Sequence, residues 1–308
     1  MNFLSQKLKA TLYAVATGAS KSIRAICAVS RLPYESIRRQ VSRLYEVKEL
    51  YARFVLEKYC PGDTALVVID PTYLRELTDG LIVAGLLVPG MGRCIPLYWE
   101  HFNWKETERE QEGLYSRNLF QGSFLRKLKK LVYPRTLIII ADREFGRTGF
   151  FEVLKKAGIY WVIRLPKNNY PPKLGDHLEF SDEAHDEPWL LCFRLPPGYN
   201  PVELYFLRMR IEETFRDAKS LLAMRVILNR VIHSRVKEGL VLLLFASWLL
   251  LAELGGHQAI KNQVLRQSVL NMAEKGYYSA ITLGRLWLCA CAIRALAEVI
   301  VWQELTGG

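Results

Sequence analysis

The sequence has no C-x-x-C pair, and its six cysteines, at 27, 60, 94, 192, 289 and 291, have no histidine cluster nearby. Neither a zinc site nor a disulfide framework is indicated, and a reduced intracellular compartment is expected. There is no signal-peptide layout, because the opening MNFLSQKLKATLYAV is amphipathic. The apolar run from Leu240 to Ala252 is too short to span a bilayer comfortably and reads as a buried helix, so no membrane partner is expected. Internal repeats and low-complexity tracts are also absent. Acidic residues are scarce at the amino end: the first 60 residues hold four, against 11 Lys+Arg.

That scarcity accounts for seven of the eleven net positive charges and points to a polyanion partner. With 308 residues, half of them hydrophobic, the chain can bury one large core or two smaller ones.

Residues 1–60 read as an all-helical domain. After a break at Leu32-Pro33, apolar residues recur at Ile37, Val41, Leu44 and Tyr45, with Arg39 and Arg43 on the opposite face. A short helix from about Lys21 to Val29, a turn and this basic helix suit a helix-turn-helix laying arginines along DNA. A helical bundle with a solvated basic face is the alternative. From Thr64 the pattern changes to short apolar runs: TALVVI, GLIVAGLLV, RCIPLYW, TLIIIA and IYWVIRL. Helical stretches at 111–131 and 147–157 flank the fourth run. The order, three strands, helix, strand, helix, strand, predicts an α/β fold with a mixed five-stranded sheet flanked by helices. Residues 167–200 read as a short insertion of loops with one strand, PWLLCFRL. The rest reads as helix, with 261–308 as carboxy-terminal helices that include LWLCACAIRALAEVIVW. The α/β core, with its insertion, is therefore placed at 61–260.

Two aspartates, Asp70 and Asp142, end the runs VVID and IIIAD. A buried strand would hold each carboxylate rigidly, as a metal site needs, although strand-end aspartates also serve as helix caps and turn formers. A third acid comes from YFLRMRIEETFRDAK, read as one helix with Leu204, Ile211, Phe215, Ala218 and Leu222 on one face. At about 100° per residue, Tyr205, Arg208, Glu212 and Lys219 fall within roughly 60° of one another. Glu213 points elsewhere. The other reading of that edge is a solvated face with Arg208 and Glu212 as an i,i+4 pair. Three carboxylates converging would suit Mg²⁺, a hard cation that keeps positions open for water and phosphate.

These motifs resemble the DDE transposases of bacterial insertion sequences, within the ribonuclease-H-like superfamily. The most specific is Y-x2-R-x3-E-x6-K, matched by Tyr205, Arg208, Glu212 and Lys219, which resembles the signature of the insertion-sequence-four type. VVIDPTYL, IPLYWE and ADREFG resemble the family's first-aspartate strand, third strand and second-aspartate motif. The resemblance implies a ribonuclease-H-like core in which Asp70, Asp142 and Glu212 hold Mg²⁺, or Mn²⁺ as a substitute. It implies that Tyr205, Arg208 and Lys219 contact DNA backbone, and that the amino-terminal helices, with Arg39 and Arg43, bind element ends. The implied reaction is metal-dependent nicking of double-stranded DNA at element ends and transfer of the freed 3′-hydroxyl into target DNA. It further implies a homodimer on DNA in the bacterial cytoplasm, associated with the nucleoid.

The sequence departs from the family at three places. Glu144 stands where D-R-G-F has glycine, Met209 replaces a tryptophan, and the insertion is compact. Trp189 is the candidate for stacking on an extruded base, or else a core residue of a small sheet. A related nuclease without strand transfer and a catalytically idle DNA-binding descendant are the competing readings.

Overall fold

The computed structural model describes residues 6–18, 21–74, 76–104, 117–167, 174–181, 187–231 and 233–256, together with Thr282, Arg285 and Leu288. Two compact units divide the chain, one formed by residues 1–45 with 217–308 and the other by residues 46–216.

The first unit is helical among its described residues. It opens with α1 (Gln6–Ala16), α2 (Ile23–Ser30) and α3 (Tyr34–Leu44). Ser22 caps α2 by accepting a hydrogen bond from the Ala25 amide at 3.1 Å. Arg31, in the left-handed region at φ 54, closes the helix, and Pro33 sets the entry to α3. Ile37, Val41 and Leu44 recur at helical spacing and are all buried, while Arg39 and Arg43 are exposed. The helix, turn and basic helix therefore stand where sequence periodicity places them.

The second unit opens with α4 (Lys48–Tyr59), followed by β1 (Thr64–Tyr73), β2 (Asp79–Leu87) and β3 (Cys94–Asn103). Next come α5 (Arg117–Val132), β4 (Thr136–Ala141), α6 (Thr148–Lys156) and β5 (Tyr160–Arg164). β6 (Asp176–Phe180), β7 (Trp189–Arg194), α7 (Pro201–Phe206) and α8 (Met209–Ser220) complete it, with α8 running past the boundary at Arg216. The strands form one sheet in the order β3-β2-β1-β4-β5-β7-β6. β1, β2 and β3 are an antiparallel meander, β1, β4 and β5 are parallel, and β7 returns antiparallel to β5. This mixed sheet is compatible with a ribonuclease-H-like fold. β2 is buried along its whole length, as its unbroken apolar run requires.

Back in the first unit, α9 (Met224–Leu228) leads into α10 (Ser234–Gly256). α10 packs on α1 and α3. Gly239 allows the close approach: a Cβ there would overlap the carbonyl of Val41 on α3.

The structure corrects the sequence reading at several points. The sheet has seven strands rather than five, because the insertion contributes two that extend its β5 edge. β6 escapes a hydropathy reading because DHLEF is a polar, largely exposed edge strand. β1 does not end at Asp70 but runs on to Tyr73, since β2 continues to pair with it there. α4 packs on β3 and α5 through Ala52, Val55 and Leu56, so the amino-terminal helical portion stops at Tyr45 rather than at 60. α10 has 23 residues, more than its apolar run suggests, and is long and apolar enough to cross a membrane. Most of its apolar stretch is nonetheless buried within the protein. The helix read over YFLRMRIEETFRDAK is two helices, tightened between them by i to i−3 bonds at Leu207 and Arg208. The helical start at 111 and most of 261–308, including LWLCACAIRALAEVIVW apart from Leu288, lie outside the described residues.

Candidate active site

Register brings the two aspartates level. β1 and β4 run parallel with Val68 opposite Ile140, and Asp70 and Asp142 each stand two residues further on. Asp142 keeps an extended backbone (φ −85, ψ −176), so the neighbouring chains still run side by side, about 4.8 Å apart in a regular sheet. An offset of two restores the side-chain direction in both, so the carboxylates leave the sheet on one face. They sit just past the last pair of the parallel β1–β4 ladder, toward the end of the sheet where open α/β sheets place their crevices. Asp142 is also a cap: its Oδ1 accepts from the Glu144 amide at 2.9 Å and starts the short 3₁₀ turn Arg143–Phe145.

The third acid is placed by the rotation of α8. Thr214 Oγ1 lies 3.1 Å from the Cys94 amide and 2.9 Å from the carbonyls of Cys94 and Arg210, which pins the helix to the start of β3. Glu213 turns to the same side, pairing with Arg93 at 3.2 Å and with Arg216. Ile211 is buried, with its Cδ1 close to Gly85. Glu212 faces another way, toward Arg208, with 2.7 Å between Oε1 and Nη2. The Arg208 guanidinium in turn stands 5.8 Å from the centre of the Tyr205 ring. Tyr205 is 4 % exposed, and its hydroxyl is hydrogen-bonded to Arg164.

The electrostatics tie the helix to the sheet. Asp70 is pushed up to about 8, first by burial and then by the negative charge of Asp142, with Glu212 and Glu144 adding to the rise. Arg208 opposes that rise. Burial lowers the Arg208 pKa, but Tyr205, Glu212, Asp70 and Asp142 outweigh it and raise the net value. Four acids and one arginine therefore share a field. Glu144 also accepts a 2.6 Å hydrogen bond from the Tyr73 hydroxyl, whose own pKa is raised by burial and by that carboxylate.

A divalent cation suits this donor chemistry, since hard carboxylate oxygens share one field in which burial, and then the charge of Asp142, keeps Asp70 from ionising. The Thr72 hydroxyl, two residues along β1, is buried without a hydrogen-bond partner. A tight cluster is not formed, however: among the described residues no three His, Cys, Asp or Glu are gathered closely enough to hold a metal ion. Glu212 is engaged by Arg208 instead.

Of the remaining sequence candidates, Lys219 is exposed on the last turn of α8. Arg39 and Arg43 belong to the other unit. Trp189 is 7 % exposed and packs against Phe180, Tyr205 and Phe206, with ring centres 5.7, 4.9 and 4.8 Å away. It is a core residue of the insertion and is not presented to a base in this structure. Thr214, Arg93, Tyr73 and Arg164 support the site and were missed by sequence reading. Only their place next to recognised motif residues could have suggested them.

Residues 115–250 match a family model described as the transposase DDE domain. The matched stretch contains Asp142, Tyr205, Arg208, Glu212 and Lys219, but begins after Asp70. Asp70 is tied to the others by the β1–β4 register and not by the match. A comparison with curated proteins gave no match.

Proposed function

We propose that the protein is a transposase of the insertion-sequence-four type, with a ribonuclease-H-like core, that nicks double-stranded DNA at element ends and joins them to target DNA. The reading rests on one observation above all: strand register sets Asp70 level with Asp142 in the field of the Arg208–Glu212 pair. In this reading Asp70, Asp142 and Glu212 hold Mg²⁺ or Mn²⁺. A cation held by these residues would supply Lewis acidity, lowering the pKa of a water or 3′-hydroxyl and offsetting charge on the leaving oxygen at phosphorus. Asp70 would bind as the carboxylate, its proton released to solvent. Arg208 releases Glu212 and turns to the incoming phosphate, to which a guanidinium offers a fork of donors. Tyr205, fixed by Arg164, serves as the platform on which Arg208 moves. Lys219 adds a backbone contact. Synapsis of two ends implies a homodimer on DNA, in the bacterial nucleoid.

A second reading, a DNA-binding descendant that no longer cuts, draws support from the Arg208–Glu212 pair and the added carboxylate of Glu144. The two separate on a comparison of neighbours. In Mg²⁺ or Mn²⁺, Glu212→Gln should abolish cleavage of end DNA, because an amide is a poorer ligand for a hard cation. Glu213→Gln should keep most of it, losing only ion pairs worth about 0.2–1 kcal/mol. Wild-type protein that binds end DNA and never cuts it would favour the idle descendant. Cleavage by the Glu212 variant but not the Glu213 variant would refute the assigned site.

A further inference from the structure

The helical unit contains a cleft of about 500 Å³ that the catalytic reading leaves unused. Its walls come from two stretches almost two hundred residues apart in sequence. Arg24 and Arg38 come from α2 and α3, and Arg230 and His233 come from the connection between α9 and α10. All four are exposed, and no carboxylate lines the cleft. The nearby acid, Glu35, meets Arg38 at 3.5 Å on an open surface where such pairs contribute little. The floor is apolar, with Ile23, Ile227 and Val236. Arg24 also lies in the first turn of α2, where the helix dipole disfavours a cation. Of the three arginines around the cleft only Arg38 has a carboxylate beside it, and an anion would relieve their mutual repulsion.

We propose that this cleft seats a backbone phosphate of duplex DNA, so that the DNA-binding surface is a composite of Arg24 and Arg38 with Arg230 and His233. The inference rests on the proposed DNA-binding function and adds to it a site outside the basic face of α3. A duplex is favoured over a free anion because Arg38 is followed on the same helix by the exposed Arg39 and Arg43, which continue the positive surface beyond the cleft. The opening is also larger than a lone phosphate needs, leaving room for the attached sugar.

The test measures binding of the full-length protein to a fluorescent duplex by anisotropy across a salt series. Arg230→Ala and His233→Ala should each weaken binding several-fold, and the salt slope of the arginine variant should fall by about 0.9, the amount expected for one lost phosphate contact. Arg230→Lys should retain the slope, and Lys9→Ala, an exposed charge on α1 outside the cleft, should change neither quantity. Wild-type affinity and slope in both cleft variants, with Arg39→Ala still weakened, would overturn the composite site alone. Binding of inorganic phosphate that is lost in both cleft variants while duplex affinity and slope stay unchanged would assign the cleft to a free anion and likewise overturn it. Absence of duplex binding by the wild-type protein would remove the DNA-binding reading and this inference together.

Discussion

At the residue scale, the site conflicts with its own fold, and Asp70 shows it best. Its carboxyl titrates at about 8 in the folded protein against an ordinary 3.8, with burial as the first cause and Asp142 as the second. A carboxyl with a raised folded pKa contributes stability at low pH, and that contribution is lost as the pH rises from 3.8 to about 8. In chelator, Asp70→Asn should therefore melt increasingly above the wild type between pH 4 and 8, with the gap levelling off beyond 8. Added Mg²⁺ at pH 8 should raise the wild-type melting temperature and leave the variant's unchanged. A gap independent of pH would contradict the account of a buried carboxyl beside a second acid. The two aspartates were legible in the sequence because each follows an unbroken apolar run, and such runs form buried parallel strands. What could not be read was that they are level, since register depends on β1 and β4, which lie some 70 residues apart, becoming neighbours. Trp189 was ambiguous for a related reason: an aromatic in a short strand reads the same whether it faces a base or Phe206.

At the element scale, α8 does the positioning, and its orientation depends on a hydroxyl. Thr214 is 1 % exposed and joins the helix to the first residue of β3 through both backbone groups of Cys94. Thr214→Val keeps the shape but leaves the Cys94 amide without its side-chain acceptor, a loss of about 1–3 kcal/mol for a buried polar group. The melting temperature should fall, and cleavage should fall with it as Glu212 loses its fixed direction. Thr214→Ser should restore both; an equally impaired serine variant would show that methyl packing, not the hydroxyl, sets the helix. Periodicity had placed Ile211, Phe215, Ala218 and Leu222 on the buried side, and all four are buried. It gave no sign of the break at Leu207–Arg208, which i to i−3 bonding creates without any glycine or proline. Nor could it show β6, whose side chains are too polar to mark a strand.

At the scale of the whole molecule, residues 1–45 and 217–308 belong to one compact unit, and this changes how the amino terminus must be tested. α3 buries Ile37 and Val41, and its Val41 carbonyl lies where only a glycine, Gly239 of α10, can approach. α10 is apolar on nearly every side, so it needs α1 and α3 as cover. Removing residues 1–45 would expose that surface, and removing 1–60 would also strip α4 from β3 and α5. A truncated chain should therefore aggregate or bind a hydrophobic dye, and its failure to bind DNA would say nothing about charge. The basic face of α3 is better tested in place. Arg39 and Arg43 are both exposed, so Arg39→Ala with Arg43→Ala should leave the melting temperature within a few degrees of wild type. Duplex affinity should drop at low salt, and the salt slope should fall by at most about 1.8 if both side chains meet phosphates. A soluble, cooperatively melting chain beginning at residue 46 would show that α10 needs no cover. Unchanged affinity and slope in the double variant would show that α3 is a solvated helix face rather than the one that meets DNA.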